Sequence, residues 1–230
     1  MHPSESASRS SLQLERDGCA LFPSSISAAR REELRETVFQ DGVAGTRCLL
    51  DVPVVNEAAR HLLAELREAG VLPAGAVAVQ AIAFDKTPSA NWKVTWHQDV
   101  MFPFAAPVSH PEFEVPSVKD GVPFARPPRE VLEEMLAVRL HLDDCDLTNG
   151  PLRVSPGTHA LGILKGAEVA DRLAAHGEHT CLAAEGETVL MRPLLLHASS
   201  QATVPKHRRV LHVVYHSSRP MPETWHRRVG

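Results

Sequence analysis

The chain has 230 residues, 43% hydrophobic and 23% charged, which suits one domain or at most two around a substantial core. A formal charge of −4 lacks the basic excess expected of a nucleic-acid binder, and no apolar run approaches the roughly 18 residues that would cross a bilayer. Four cysteines, at 19, 48, 145 and 181, carry no CxxC spacing; they read as reduced thiols of a cytoplasmic protein, not as a disulfide framework or zinc ribbon.

In chain order, MHPSESASRSSL is polar and serine-rich, without the apolar core of a signal peptide. Residues 1–12 are expected to be a disordered tail ahead of a single domain over 13–230. A helix is predicted over Ala28–Gln40, with Ser27 as N-cap and Gly42 just past its end. A second is predicted over Glu57–Ala69, capped by Asn56, ended by Gly70 and striped by Leu62, Leu63 and Leu66. After Gly70 the pattern changes to short strands: AVAVQAIAF (76–84), WKVTWHQDV (92–100), LAVRLHLDD (136–144), TCLAAE (180–185), ETVLMRP (187–193), LLLHASS (194–200) and RRVLHVVYHS (208–217). Turn signals, NGP at 149–151 and PGT at 156–158, separate them. Two helices followed by short strands predict a mainly β chain with flanking helices, its core a sandwich or roll.

Between the second and third of these strands lies MFPFAAPVSHPEFEVPSVKDGVPFARPP. Its seven prolines argue against a central strand or regular helix over most of its length. An insertion of this size is a functional lid or a surface excursion. Four phenylalanines and a start two residues after Asp99 favour a lid, spanning about 101–130.

Two triplets share one spacing: His97-Gln98-Asp99 and His141-Leu142-Asp143. On a strand, such a histidine and carboxylate point to the same face, offering two of the three ligands of a non-haem iron(II) site. If His97 faces inward, strand parity brings Lys93, Thr95 and Asp99 with it and turns Trp92, Val94 and Trp96 the other way. That polar row is the solvent side of an edge strand or the lining of a polar cavity. His197, ending the apolar run LLL, is a candidate third ligand, in competition with His141, His159, His207, His212 and His216. Parity lets only one of Arg208 and Arg209 face inward. A buried guanidinium is costly unpaired, and a dicarboxylate would meet it with a bidentate fork; an exposed arginine pair at a strand start is the alternative.

The order WHQD, NGPLRVSPGTH, LLLHASS, HRRVLH resembles the phytanoyl-CoA dioxygenase family over roughly residues 76–217. The likeness is nearest to bacterial small-molecule members, in which FDK, NW and WHQD occur in that order; here they are Phe84-Asp85-Lys86, Asn91-Trp92 and Trp96–Asp99. The family implies a double-stranded β-helix (jelly-roll, cupin-like) fold with iron(II), 2-oxoglutarate and O2 as metal, cosubstrate and oxidant. It implies His97, Asp99 and His197 as the metal triad and Arg208 as the grip on the far carboxylate of 2-oxoglutarate. Ser199 is implied to help hold that carboxylate, and Gln80 and Lys93 to line the cosubstrate or substrate pocket. Arg47 and Lys119 are candidates to reach the pocket, or else solvated cations. Gly150, Pro151 and Gly157 are turn formers, and RLHLDD becomes a core strand beyond the lid.

The activity implied is oxidation, typically hydroxylation, of a small-molecule metabolite with release of succinate and CO2. A carboxylate at Asp99, where halogenation needs a vacated ligand position, disfavours halogenation. The alternative is a cupin-type metal enzyme, an isomerase or dioxygenase, that uses no 2-oxoglutarate. No nucleic-acid or membrane partner is expected, and the chain is expected to be a monomer or homodimer.

Overall fold

The computed structural model describes residues 12–230, so all of the expected tail except Leu12 lies outside the described residues. Helix α1 (Leu14–Asp17) and strand β1 (Cys19–Phe22) lead to α2 (Ala28–Val38), β2 (Gly45–Thr46) and α3 (Pro53–Glu68). Strands β3 (Val77–Lys86) and β4 (Val94–His97) follow, then β5 (Phe102–Pro103), β6 (Glu114–Lys119) and β7 (Val122–Arg126). After α4 (Arg129–Glu133) come β8 (Met135–His141), β9 (Leu152–Val154), α5 (Val169–His176), β10 (His179–Cys181), β11 (Thr188–Met191), β12 (His197–Ser199) and β13 (Arg208–His216).

Two antiparallel sheets make the roll: a six-stranded one ordered β1-β11-β8-β13-β3-β2 and a four-stranded one ordered β10-β9-β12-β4. Strand parity explains both faces of the larger sheet. On β13, Leu211, Val213 and Tyr215 join Leu62, Leu63 and Leu66 of α3 in one core cluster, and the Tyr215 hydroxyl donates to the Ala59 carbonyl at 2.8 Å. Residues of opposite parity, Val79, Ala137 and Val214, pack between the sheets with Leu152 and Val154. Arg208 and His212 share that inner parity, so the strand carries them into the roll.

The predicted helices form, with one change of boundary. Ser27 accepts a hydrogen bond from the Arg30 amide at 3.2 Å as α2's cap. The second helix begins earlier than Asn56: Pro53 occupies its first turn and Val52 is the N-cap. Proline's fixed φ and missing N–H suit that position, and the Asn56 amide instead donates to the Leu50 carbonyl at 3.1 Å.

The proline-rich segment is more ordered than its composition suggests. Strands β5, β7 and β6 form a third sheet in that order. Its prolines are tolerated because the ladder uses their carbonyls: Phe104 donates to the Pro123 carbonyl at 2.8 Å. Asp120 and Gly121, at φ 52° and 78°, make the two-residue turn that joins β6 to β7, a geometry Asp-Gly favours. Phe104 stacks on Trp225 at 5.0 Å and meets Phe113 edge-on at 5.4 Å, which ties this hairpin to the C-terminal segment.

Candidate metal centre

β4 and β12 lie side by side with His97 directly opposite His197. The backbone amide of Asp99 donates to the Pro193 carbonyl at 2.9 Å. Gln98, between the two ligands, pins the turn: its amide donates to the Gly162 and Leu194 carbonyls (2.7 and 2.6 Å) and accepts from the Leu164 amide (2.8 Å). A glutamine in the His-x-Asp triplet is thus a staple holding the loop that presents Asp99.

Each imidazole is oriented in the same way. His97 Nδ1 donates to the Thr95 carbonyl at 2.8 Å and His197 Nδ1 to the Leu195 carbonyl at 2.9 Å. These contacts leave the Nε2 lone pairs free, as ligating histidines require. His97 Nε2 lies 3.7 Å and His197 Nε2 3.6 Å from the Asp99 carboxylate oxygens. The three ligand atoms fall within 4.8 Å of one another. Two neutral-capable imidazoles and one carboxylate on a single side are the donor set of a facial iron(II) site, so the residues fit that metal.

The electrostatics favour a charged Asp99. Its burial, which raises its pKa, is outweighed by His197 and His97, and its carboxyl is held far below the ordinary range. Burial pushes His197 down to about 4 despite Asp99. For His97 burial is outweighed by the hydrogen bond and charge of Asp99, so its pKa is raised.

The opposite wall of the site belongs to the six-stranded sheet and is cationic. Arg208 is only 2% exposed, and its Nε and Nη1 have no hydrogen-bond partner among the described residues. Arg139, pushed down to about 10 by burial and by Arg208, donates from Nη1 to His212 Nδ1 at 3.1 Å. A guanidinium is donor-only, so His212 carries its proton on Nε2, which faces Asp99 Oδ2 at 4.0 Å. Burial and Arg139 push His212 down to about 3, keeping it neutral.

Behind this wall stands Lys86, fully buried, with its pKa lowered to about 8 by burial and by Arg208. Its ammonium donates to Ser199 Oγ at 3.1 Å and also to the Ser200 carbonyl. Because Ser199 accepts from Lys86, its own hydroxyl proton is free to donate into the cavity. Gly150 is required beside them: at φ +74°, a Cβ there would lie 2.7 Å from the Ser200 carbonyl and 2.9 Å from Lys86 Nζ.

A cavity of about 420 Å³ joins the two walls and is lined by Gln80, His97, Asp99, Arg139, His197, Ser199, Arg208 and His212, with Arg47 and Lys119 also on its lining. Every residue expected at the site therefore lies on it except Lys93, which is exposed and absent from the lining. The cause is a β-bulge. Along β12 His197 and Ser199 are two positions apart, but their partners on β4, His97 and Val94, are three apart. One extra residue reverses parity, so Trp92 and Val94 line the cavity while Lys93 and Thr95 face solvent.

The rival triplet has a different fate. Asp143 is engaged by Arg209, with contacts of 2.8 and 2.9 Å, and does not line the cavity. His141 points into the roll, fully buried, with neither ring nitrogen hydrogen-bonded among the described residues. Sequence reasoning assigned no role to Arg139 or Lys86 and counted His212 only among competing ligands. Their signal was present, because Arg139 and His141 share a parity, as do Phe84 and Lys86, but it needed the knowledge of which face turns inward.

A family model described as phytanoyl-CoA dioxygenase matches residues 15–210. The chain belongs to the phytanoyl-CoA dioxygenase family. Among curated proteins none matches the chain by sequence. Solved structures share the family fold, a double-stranded β-helix. EctD from S. alaskensis, in its apo form, is 18% identical with a TM-score of 0.63, over 94% of this chain and 77% of its own. AviO1 from Streptomyces viridochromogenes Tue57 is 20% identical with a TM-score of 0.63, over 91% and 94%. HygX from Streptomyces hygroscopicus, determined with iron bound, is 16% identical with a TM-score of 0.60, over 89% and 84%. EctD has also been determined with 2-oxoglutarate and 5-hydroxyectoine. No helix among the described residues is long and apolar enough to cross a membrane.

Proposed function

We propose that this chain is an iron(II)- and 2-oxoglutarate-dependent oxygenase that hydroxylates, or otherwise oxidises, a small-molecule metabolite with release of succinate and CO2. The observation that carries the reading is the buried guanidinium of Arg208, which meets the Cys145 thiol but leaves Nε and Nη1 without partners among the described residues, facing the same cavity as His97, Asp99 and His197. A buried cation with unsatisfied donors costs free energy until an anion meets it, and a carboxylate matches its fork.

His97, Asp99 and His197 would hold iron(II), which with 2-oxoglutarate and O2 supplies the oxidising power to break a substrate C–H bond. Arg208 binds the far carboxylate of the cosubstrate, the Ser199 hydroxyl donates to the same group, and Gln80 borders it. His212 presents its Nε2 proton toward Asp99 across 4.0 Å. The β5–β7 hairpin acts as the lid of one domain over residues 13–230, excluding bulk water from the reacting centre.

Anaerobic titration with iron(II) and then 2-oxoglutarate tests the reading. A weak visible metal-to-ligand charge-transfer band is expected in the wild type and in His141→Ala, and none in His97→Ala. A wild type without the band overturns the proposal; a band kept in His97→Ala but lost in His141→Ala moves the metal to the other triplet. Product mass under air then separates hydroxylation (one added oxygen atom) from desaturation or epimerisation.

A further inference from the structure

The cavity holds more positive charge than the proposed cosubstrate can answer. Asp99 is the one carboxylate on its lining, against Arg47, Lys119, Arg139 and Arg208. One end of 2-oxoglutarate answers Arg208 and the other lies on the metal. Arg139 donates to the neutral imidazole of His212, and the charge of Asp99 acts on it from across the site. Arg47 and Lys119 remain, and neither has an ion-pair or hydrogen-bond partner among the described residues. Arg30, Arg35, Arg129, Arg153 and Arg227, by contrast, pair with carboxylates, and what sets Arg47 and Lys119 apart from unpaired cations such as Lys93 is that they line the cavity.

The two free cations come from separate segments that line one cavity. Arg47 directly follows β2, and Lys119 ends β6 at the Asp120-Gly121 turn. The neighbouring residues Cys48 and Asp120 are close enough that, after burial, the Asp120 charge is the next cause raising the Cys48 thiol. Asp120 itself pairs with neither cation. Lys119 is held in place, its ammonium 4.9 Å from the Phe124 ring centroid. Arg47 is exposed and Lys119 half-buried, whereas Arg208 is 2% exposed, so this pair sits on the solvent side of the cavity. The same lining includes the apolar side chains of Ile82, Phe84, Trp92 and Phe124.

Resting on the function proposed above, we infer that the primary substrate is an anionic small molecule whose carboxylate or phosphate is held by Arg47 and Lys119, with an apolar body lying toward the metal triad. Two cations from separate chain segments, one of them on the lid hairpin, also give the hairpin a reason to close: the anion bridges it to the body of the roll. About 420 Å³ shared with 2-oxoglutarate limits the occupant to a small metabolite.

Matched probes test this on the protein loaded with iron(II) and 2-oxoglutarate under argon, read by calorimetry alongside the visible band. Hexanoate is compared with hexanamide, and hexyl phosphate with hexanol. We expect one of the two anions to bind while its neutral counterpart does not, with the band retained, and the better anion names the headgroup. Arg47→Gln with Lys119→Met, which removes both charges but keeps packing on Phe124, is expected to weaken that binding at least about tenfold. Neutral probes binding equally, no binding by either anion, an unaffected double variant, or an anion that erases the band by displacing 2-oxoglutarate would each overturn the inference. Absence of the band in the wild type before any probe is added is the separate failure of the oxygenase reading.

Discussion

The two walls of the site solve opposite electrostatic problems. On the four-stranded sheet, His97 and His197 spend their Nδ1 protons on backbone carbonyls, and the wall presents lone pairs and one negative charge. On the six-stranded sheet, Arg208 and Arg139 present donors without partners and a local excess of positive charge, with Lys86 behind them. The first wall is complete only when a cation binds, the second only when an anion does. A ligand that is anionic at both ends, chelating a cation on one wall and meeting a guanidinium on the other, satisfies both.

Arg208→Leu should break this contrast most severely. Losing a charge-assisted bidentate contact, worth about 1.5–3 kcal/mol, should raise the 2-oxoglutarate requirement roughly 10- to 100-fold while iron affinity stays the same. Steady-state KM for 2-oxoglutarate and an iron-binding titration would show it; iron affinity falling in parallel would mean that the walls are not independent.

Gly150→Ala should come next, acting on the packing behind the cationic wall. Its positive φ and blocked Cβ position predict a stability loss of about 1–3 kcal/mol, measured by urea unfolding. An unchanged midpoint would show that this turn relaxes.

Lys86 offers a pH test of the buried charge. Its folded pKa of about 8 lies below the ordinary 10.5, so between those values the unfolded chain binds more protons and stability should rise with pH. The wild type minus Lys86→Met difference in unfolding free energy should therefore grow in the wild type's favour from pH 8 to 10.5 and be flat below pH 7. A flat difference throughout would place Lys86 in better solvation than its burial implies.

The smallest effect is expected from Lys93→Ala. The bulge turns Lys93 to solvent, so stability should change by less than about 0.5 kcal/mol, and cosubstrate KM should not move. A shift in KM would restore Lys93 to the pocket and remove the bulge from the argument.

The elements were legible where the signal was local. Ser27, Gly70 and the stripe Leu62, Leu63, Leu66 mark helices by themselves, and the apolar runs mark strands. The start of α3 differs from the sequence expectation because Asn56 is a good cap in isolation, whereas Pro53 three residues earlier is a better first turn. The order of the proline-rich segment is hidden for a related reason: proline counts argue against strands in general, but Pro123 contributes its carbonyl to the ladder, and Asp120-Gly121 makes the hairpin turn.

The residue order of this chain determined the ligand types, their His-x-Asp spacing and the family likeness that adds His197, Ser199 and Arg208. These are short-range patterns, and chemistry restricts which residues fill them. Only the tertiary structure decided which neighbours join them. The bulge that excludes Lys93 is set by pairing with β12, about a hundred residues away in sequence. Arg139, His212 and Lys86 belong to the site because three distant strands are adjacent in one sheet with the same parity turned inward. Side-chain identity is written along the chain, but which face becomes the interior is fixed by strand pairing between segments that no local pattern connects.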